Sequence, residues 1–253
     1  MSRLEQFDDP PIIVGGCGRS GTTLLLALLG AHPEIHAIPH ETRLFCLFAE
    51  QSQDPAERRE LLEDPSFGAA ARLARLETVL ARDPLRPSAR RWCEKTPRNV
   101  LCFEEISELF TGRVKLVEIV RDGRDVVLSR HPLQPDHSWV SPARWVRDVA
   151  AGRRAAERVE VHTLRYEDLT REPEATLAKL GAELGLAGLD ELDGWRERTN
   201  IQRSGAWREG GVQPVSTAAT ERWRAQPDHP KVRALLAEPG ARELLDYHGY
   251  LDP

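Results

Sequence analysis

One stretch constrains this chain more than any other: Pro11-Ile-Ile-Val-Gly-Gly-Cys-Gly-Arg-Ser-Gly-Thr-Thr-Leu-Leu-Leu-Ala-Leu-Leu29. The apolar run Ile12 to Val14 predicts a short buried strand, and Thr22 to Leu29 predicts a helix free of breakers. Between them, Gly15, Gly16, Gly18 and Gly21 allow tight backbone turns and a close approach to a ligand. The free amides and dipole of the helix start form an anion site. Arg19 adds a planar cationic fork, and Ser20, Thr22 and Thr23 add hydroxyl donors. Residues 18 to 23 therefore read as a phosphate cradle; the plainer alternative is a strand-to-helix turn that binds nothing.

The spacing nearly matches a Walker A loop, with Gly16, four residues and then Gly21. The next position calls for Lys and holds Thr22, while Thr23 sits where a magnesium-binding Ser/Thr belongs. Without that lysine, triphosphate chemistry lacks its counter-ion. The sequence implies a phosphate-like group that is cradled without triphosphate chemistry around magnesium.

Strand-like runs alternate with helical ones along the rest of the 253 residues. Extended pieces are expected at Ile35 to Ile38, Arg91 to Pro97, Arg113 to Val120 and Glu160 to Leu164. Helices are expected in residues 54–82 (two, broken at Asp64-Pro65), 99–110, 126–130, 139–158, 173–186, 220–226 and 230–247. This alternation predicts a single α/β domain of three layers, with a central parallel sheet covered on both faces. Residues 52–90 read as a helical insert, and the glycine-rich segment 200–217 as a lid-like loop.

Chemistry-bearing residues fall at predicted strand ends, where open α/β sheets place their ligands. His40, Glu41 and Arg43 follow the second strand; Glu41 is also readable as a first-turn helix carboxylate. Lys95, one of only four lysines in a chain that otherwise uses arginine, stands just before Thr96-Pro97. Arg121 opens Arg-Asp-Gly-Arg-Asp125 and, with Ser129, is placed to converge on one anion. The competing reading there is an Arg–Asp ion-pair cluster capping a helix. Arg165-Tyr-Glu-Asp-Leu169 is expected to end the strand before it.

Net charge is −5, which argues against general nucleic-acid binding, so the arginines act locally. Cys17, Cys46, Cys93 and Cys102 lack metal-ligand or CxxC spacing and read as free thiols. Residues 1–9 are polar and acidic, unlike a signal or transit peptide, and no apolar run approaches spanning length. A cytoplasmic protein without a membrane partner is the expectation.

These pieces together resemble the sulfotransferases that use 3′-phosphoadenylyl sulfate (PAPS), a P-loop fold, and most of all the tyrosylprotein sulfotransferase branch and its bacterial relatives. The resemblance begins at Pro11-Ile-Ile-Val-Gly-Gly and Arg19-Ser-Gly-Thr-Thr-Leu24, with Gly18 where that branch has proline. It runs through Ala31-His-Pro-Glu-Ile35, Glu41-Thr-Arg43, Lys95-Thr-Pro97, Val120-Arg-Asp-Gly-Arg124 with Ser129, and Tyr166-Glu-Asp-Leu169. It closes at Pro214-Val215 and Arg222-Trp223. The resemblance implies that Arg19 to Thr23 hold the 5′-phosphosulfate and that Arg121 and Ser129 hold the 3′-phosphate. Tyr166 would lie near the 3′-phosphate or ribose. Arg222 stands in place of a cofactor-contacting lysine, and Ser204 corresponds to a serine near the transferred group, ahead of a longer loop. It further implies PAPS as donor, PAP (3′-phosphoadenosine 5′-phosphate) as product, no metal, and an acceptor bearing a hydroxyl (small molecule, sugar or peptide), with a homodimer left open. On this reading Glu41 is the general base, with His40 its rival; Lys95 and Arg19 stabilise charge on the leaving phosphate, and Arg43 positions Glu41 or the acceptor. A magnesium-dependent P-loop kinase and a catalytically silent nucleotide-binding protein are the alternatives.

Overall fold

A computed structural model describes residues 2–48, 54–82, 84–129, 138–202 and 211–251. Strand β1 (Ile12–Gly15) is buried along its whole length, as an apolar run lying in the middle of a sheet must be. It is hydrogen-bonded in parallel to β3 (Arg91–Lys95) on one side and to β4 (Lys115–Val120) on the other. β2 (Ile35–Ala37) lies outside β3, and β5 (Val161–Arg165) lies outside β4. Among the described residues the order is β2-β3-β1-β4-β5, all parallel.

Helices cover both faces, as the alternating pattern predicts. One face buries Val14, Val117 and Ile119 under Leu25 and Leu29 of α1 (Thr22–Leu29) and Leu177, Leu180 and Leu184 of α8 (Pro173–Leu184). The other buries Ile13, Leu116 and Trp92 with Phe45, Leu76 of α3 (Ala69–Leu80), and Phe103 and Ile106 of α4 (Phe103–Leu109). A third cluster joins Val120 and Val126 to Trp145 and Val149 of α6 (Pro142–Ala156) and to Leu235 and Leu244 of the C-terminal helices. Among its described residues the insert contains two helices, α2 (Pro55–Glu63) and α3. They part at Asp64, whose carboxylate accepts from the Ser66 amide at 2.7 Å.

Several boundaries differ from expectation, each for a local reason. Residues 97–102 form a 3-10 turn before α4, because Pro97 fits the first turn of a helix. α5 (Gly123–Val127) begins three residues earlier than predicted, since the Asp122 side chain accepts from the Arg124 amide at 2.9 Å and caps it. Tyr166-Glu-Asp-Leu169 opens α7 (Tyr166–Arg171) instead of ending β5; Glu167 and Asp168 suit a helix's first turn. A short helix, α9 (Trp195–Arg198), carried no clear signal. Residues 220–226 hold only a 3-10 turn, Arg222–Ala225. The stretch 230–247 divides into α10 (Pro230–Ala237) and α11 (Ala241–Tyr247) at Pro239-Gly240, where Gly240 has φ +82°.

Candidate active site

The loop between β1 and α1 is shaped by its neighbours. A Cβ at Gly16 (φ +142°) would lie 2.4 Å from the Ile119 carbonyl, and one at Gly21 (φ +96°) would lie 2.4 Å from the Tyr166 ring. These two positions admit only glycine without strain. Arg19 itself takes φ +71°, a conformation that costs an L-residue about 1 kcal/mol or more. Arg121 holds that peptide in place: its Nη1 donates to the Arg19 carbonyl at 2.8 Å. The Ser20 hydroxyl is buried and has no partner among the described residues, as expected of a donor reserved for a ligand.

The cradle opens on a cleft of about 360 Å³ lined by Arg19, Gly21, Thr22, Thr23, Arg121 and Tyr166 on one side. Gln213, Pro214, Ser216, Ala218 and Ala219 form the other wall, so the described end of segment 200–217 borders the loop. Arg121 spans the two walls, donating to the Ala219 carbonyl as well and packing over the Tyr166 ring at 4.7 Å. Burial pushes the Tyr166 phenol above its usual range, so it meets the cleft as a neutral donor.

Lys95 ends β3 beside this cradle. Its buried ammonium donates to Thr23 Oγ1 at 3.2 Å and to Glu41 Oε1 at 2.7 Å. A lysine from a neighbouring strand thus enters the loop that lacks its own. Glu41 is half-exposed and faces solvent beyond the lysine. His40 beside it is exposed; Arg43 is exposed at the side chain, at φ +57°, and its amide donates to Thr96 Oγ1 at 3.1 Å.

Other expected site residues fall into place unevenly. Gly18 packs against the side chains of Arg144 and Trp139. Ser129 is buried and donates back to the Val126 carbonyl at 2.6 Å, closing the end of α5. Arg222 is exposed and reaches the Asp125 carbonyl at 3.4 Å. Ser204 lies outside the described residues. Of the two readings of Arg121-Asp-Gly-Arg-Asp125, the Arg–Asp cluster capping a helix is seen at Asp122 and Arg124, while Arg121 lines the cleft without Ser129. Arg124 forms a two-pronged pair with Asp122 and stacks over Trp223 at 3.6 Å, whereas Arg121 serves the cradle.

Sequence reasoning missed Glu94. It is fully buried at the end of β3, and its oxygens accept from the Thr42 amide and hydroxyl, the Thr96 hydroxyl and the Asn99 amide group. The available signal was a carboxylate inside the apolar run Arg91-Trp-Cys-Glu-Lys95.

Comparison with known proteins fits this geometry. Over 129 residues the chain is 32% identical to Protein-tyrosine sulfotransferase 1 of Homo sapiens, covering 48% of this chain and 34% of that protein. The match thus spans about a third of the length of the curated relatives. The fold superposes on the Sulfotransferase Domain from the Curacin Biosynthetic Pathway with a TM-score of 0.62 at 16% identity, covering 97% of this chain and 99% of that one. It also superposes on mouse sulfotransferase SULT7A1 complexed with PAP, with a TM-score of 0.50 at 15% identity, covering 96% and 92%. The family model described as Sulfotransferase family matches residues 10–191, most of the chain, and the protein belongs to the sulfotransferase family.

Proposed function

We propose that this sulfotransferase moves the sulfuryl group of PAPS to an acceptor hydroxyl, with Glu41 as general base. The observation that carries this reading is Lys95, whose one ammonium touches both the cradle, at Thr23, and the acid, at Glu41. A cradle for the leaving group and a base for the attacking group are thereby set on either side of one cation. The orphaned Ser20 hydroxyl, the amides of α1 and the Arg19 guanidinium suit the anionic phosphosulfate; Arg121 and Tyr166 suit the nucleotide beyond it. The PAP held by the mouse structural relative supports the same donor.

In an in-line transfer the acceptor oxygen forms a bond to sulfur as the bridging S–O bond breaks. The electron pair of that bond leaves with the phosphate, and the acceptor's proton passes to Glu41 Oε. Lys95 and Arg19 stabilise the charge that grows on the departing phosphate, where fixed donors act most strongly. The relatives named as protein-tyrosine sulfotransferases make a phenolic hydroxyl the first acceptor to try.

Two measurements test the reading. PAP, PAPS and ATP with magnesium are compared by thermal shift; the nucleotides bearing a 3′-phosphate should stabilise strongly and ATP weakly. Glu41→Gln should bind PAP as the wild type does yet lose at least a hundredfold in PAP release from PAPS, assayed with a tyrosine-containing acidic peptide. Wild-type turnover in that variant removes Glu41 as base, and preferential stabilisation by ATP with magnesium returns the kinase reading.

A further inference from the structure

We propose that Glu94 is a positioning residue for the base: its buried carboxylate fixes the turn that presents Glu41 to Lys95. The inference rests on the reading of Glu41 given above. Successive residues of a strand point to opposite faces, so Lys95 and Glu94 leave the end of β3 in opposite directions. Both reach the same short turn. Lys95 takes Glu41 from one side, at 2.7 Å. From the other side Glu94 Oε1 accepts from the Thr42 amide at 3.1 Å, the Thr42 hydroxyl at 2.9 Å and the Thr96 hydroxyl at 2.7 Å.

The network continues in both directions. The Thr96 hydroxyl, while donating to Glu94, accepts from the Arg43 amide at 3.1 Å, and Thr42 Oγ1 accepts from the Leu44 amide at 3.3 Å. On its far side Glu94 Oε2 accepts from Asn99 Nδ2 at 2.7 Å, and that same nitrogen donates to the Val14 carbonyl at 3.2 Å. The turn carrying Glu41 is therefore tied through one carboxylate to β1, the strand that leads into the cradle. Every group facing Glu94 is a donor; a carboxylate accepts at both ends, whereas an amide accepts at one and donates at the other. The Glu94 side chain is fully buried, so water does not stand in for a lost bond.

The chemistry makes Glu94→Gln a sharp test because it preserves volume. With its oxygen kept at the Oε1 position, the new NH2 group faces the Asn99 NH2 group. Turning Asn99 over would set its carbonyl against that of Val14. The turn must then shift, and a misplacement near 1 Å at a reacting group costs up to about a hundredfold in rate. The expected result is a ten- to hundredfold fall in kcat for PAP release, again with the tyrosine peptide as probe, while PAP affinity stays within twofold. In a Glu41→Gln background, adding Glu94→Gln should cost less than a further twofold, since the group it positions is already gone.

Wild-type kcat in Glu94→Gln overturns the proposal. So does an equal penalty in both backgrounds, or a loss of PAP affinity as large as the loss of kcat, either of which describes a general structural prop. If Glu94→Gln does not fold, Thr42→Val removes one of the four donors and should show a several-fold loss confined to kcat; its absence overturns the proposal equally. A Glu41→Gln enzyme with full turnover would instead defeat the underlying assignment of the base, whatever Glu94 does.

Discussion

A lysine ammonium offers three donors, and Lys95 commits two of them, to Thr23 and Glu41. Lys95→Met keeps the buried stem and removes the charge. It should lower kcat about a hundred- to thousandfold, the size of effect seen when one charge-stabilising donor is deleted, while PAP affinity falls less than tenfold. Steady-state kinetics beside calorimetric PAP titration would separate the two. Gly21→Ala acts on the other quantity. At φ +96° and 2.4 Å from the Tyr166 ring the new methyl deforms the cradle, so PAP affinity should drop at least tenfold. Normal PAP titration of that variant would contradict the account of the loop. At this scale the sequence told much about residues that lie beside strand ends in sequence as well as in space, such as Arg19, Glu41 and Lys95. Glu94 escaped because its meaning depends on Thr42, 52 residues earlier, which only the folded sheet brings within reach.

Among elements, β4 and α6 meet closely at one point. Glu118 points from the middle of a buried strand at Gly152, where an added Cβ would lie 2.0 Å from its Oε1. Gly152→Ala should therefore destabilise by about 1–3 kcal/mol, the usual cost of overpacking a full interior. Combining it with Glu118→Ala should recover much of that loss in urea melts; an unchanged midpoint in the single variant would show that α6 yields freely. The strands and long helices were readable from apolar periodicity. The starts of α5 and α7 were not, because Asp122 and the pair Glu167-Asp168 signal helix starts only to a reader who already knows where the strand stops. α9 is four residues long, too short for any period to show.

For the whole molecule, one buried and one partly buried group set opposing dependences on pH. Burial pushes the Glu118 carboxyl up to about 8, against an ordinary value of 4.5. Between those values the folded chain keeps a proton that the unfolded chain has released. Stability therefore falls as pH rises, by at most about 1.4 kcal/mol per unit. His248 is held down to about 4 by burial and by the Arg165 and Arg153 charges, against 6.5 in the unfolded chain. In that window the unfolded chain binds the proton, so stability falls as pH falls. The two slopes oppose each other below 6.5, and of the pair only Glu118 acts between 6.5 and 8. Glu118→Gln should flatten the decline across that upper interval, measured as urea midpoints at pH 6.5 and 8. A decline as steep as the wild type's would assign it to other groups.

The sheet order also sets a timetable. Of the five described strands of this sheet β1 is made before the others, yet it occupies the centre, and both its neighbours, β3 and β4, come some 80 to 100 residues later. Until then Ile12, Ile13 and Val14 have no ladder to join, and Gly16 lacks the Pro97 carbonyl that receives its amide at 2.9 Å. Pairings so distant in sequence form slowly, and an apolar strand left waiting is open to misassociation. The residues at the heart of the cradle are thus made early and assembled late. In pulse-labelled refolding, amide protection at Ile12 to Val14 should appear together with that of β4, and protection well ahead of it would refute this order.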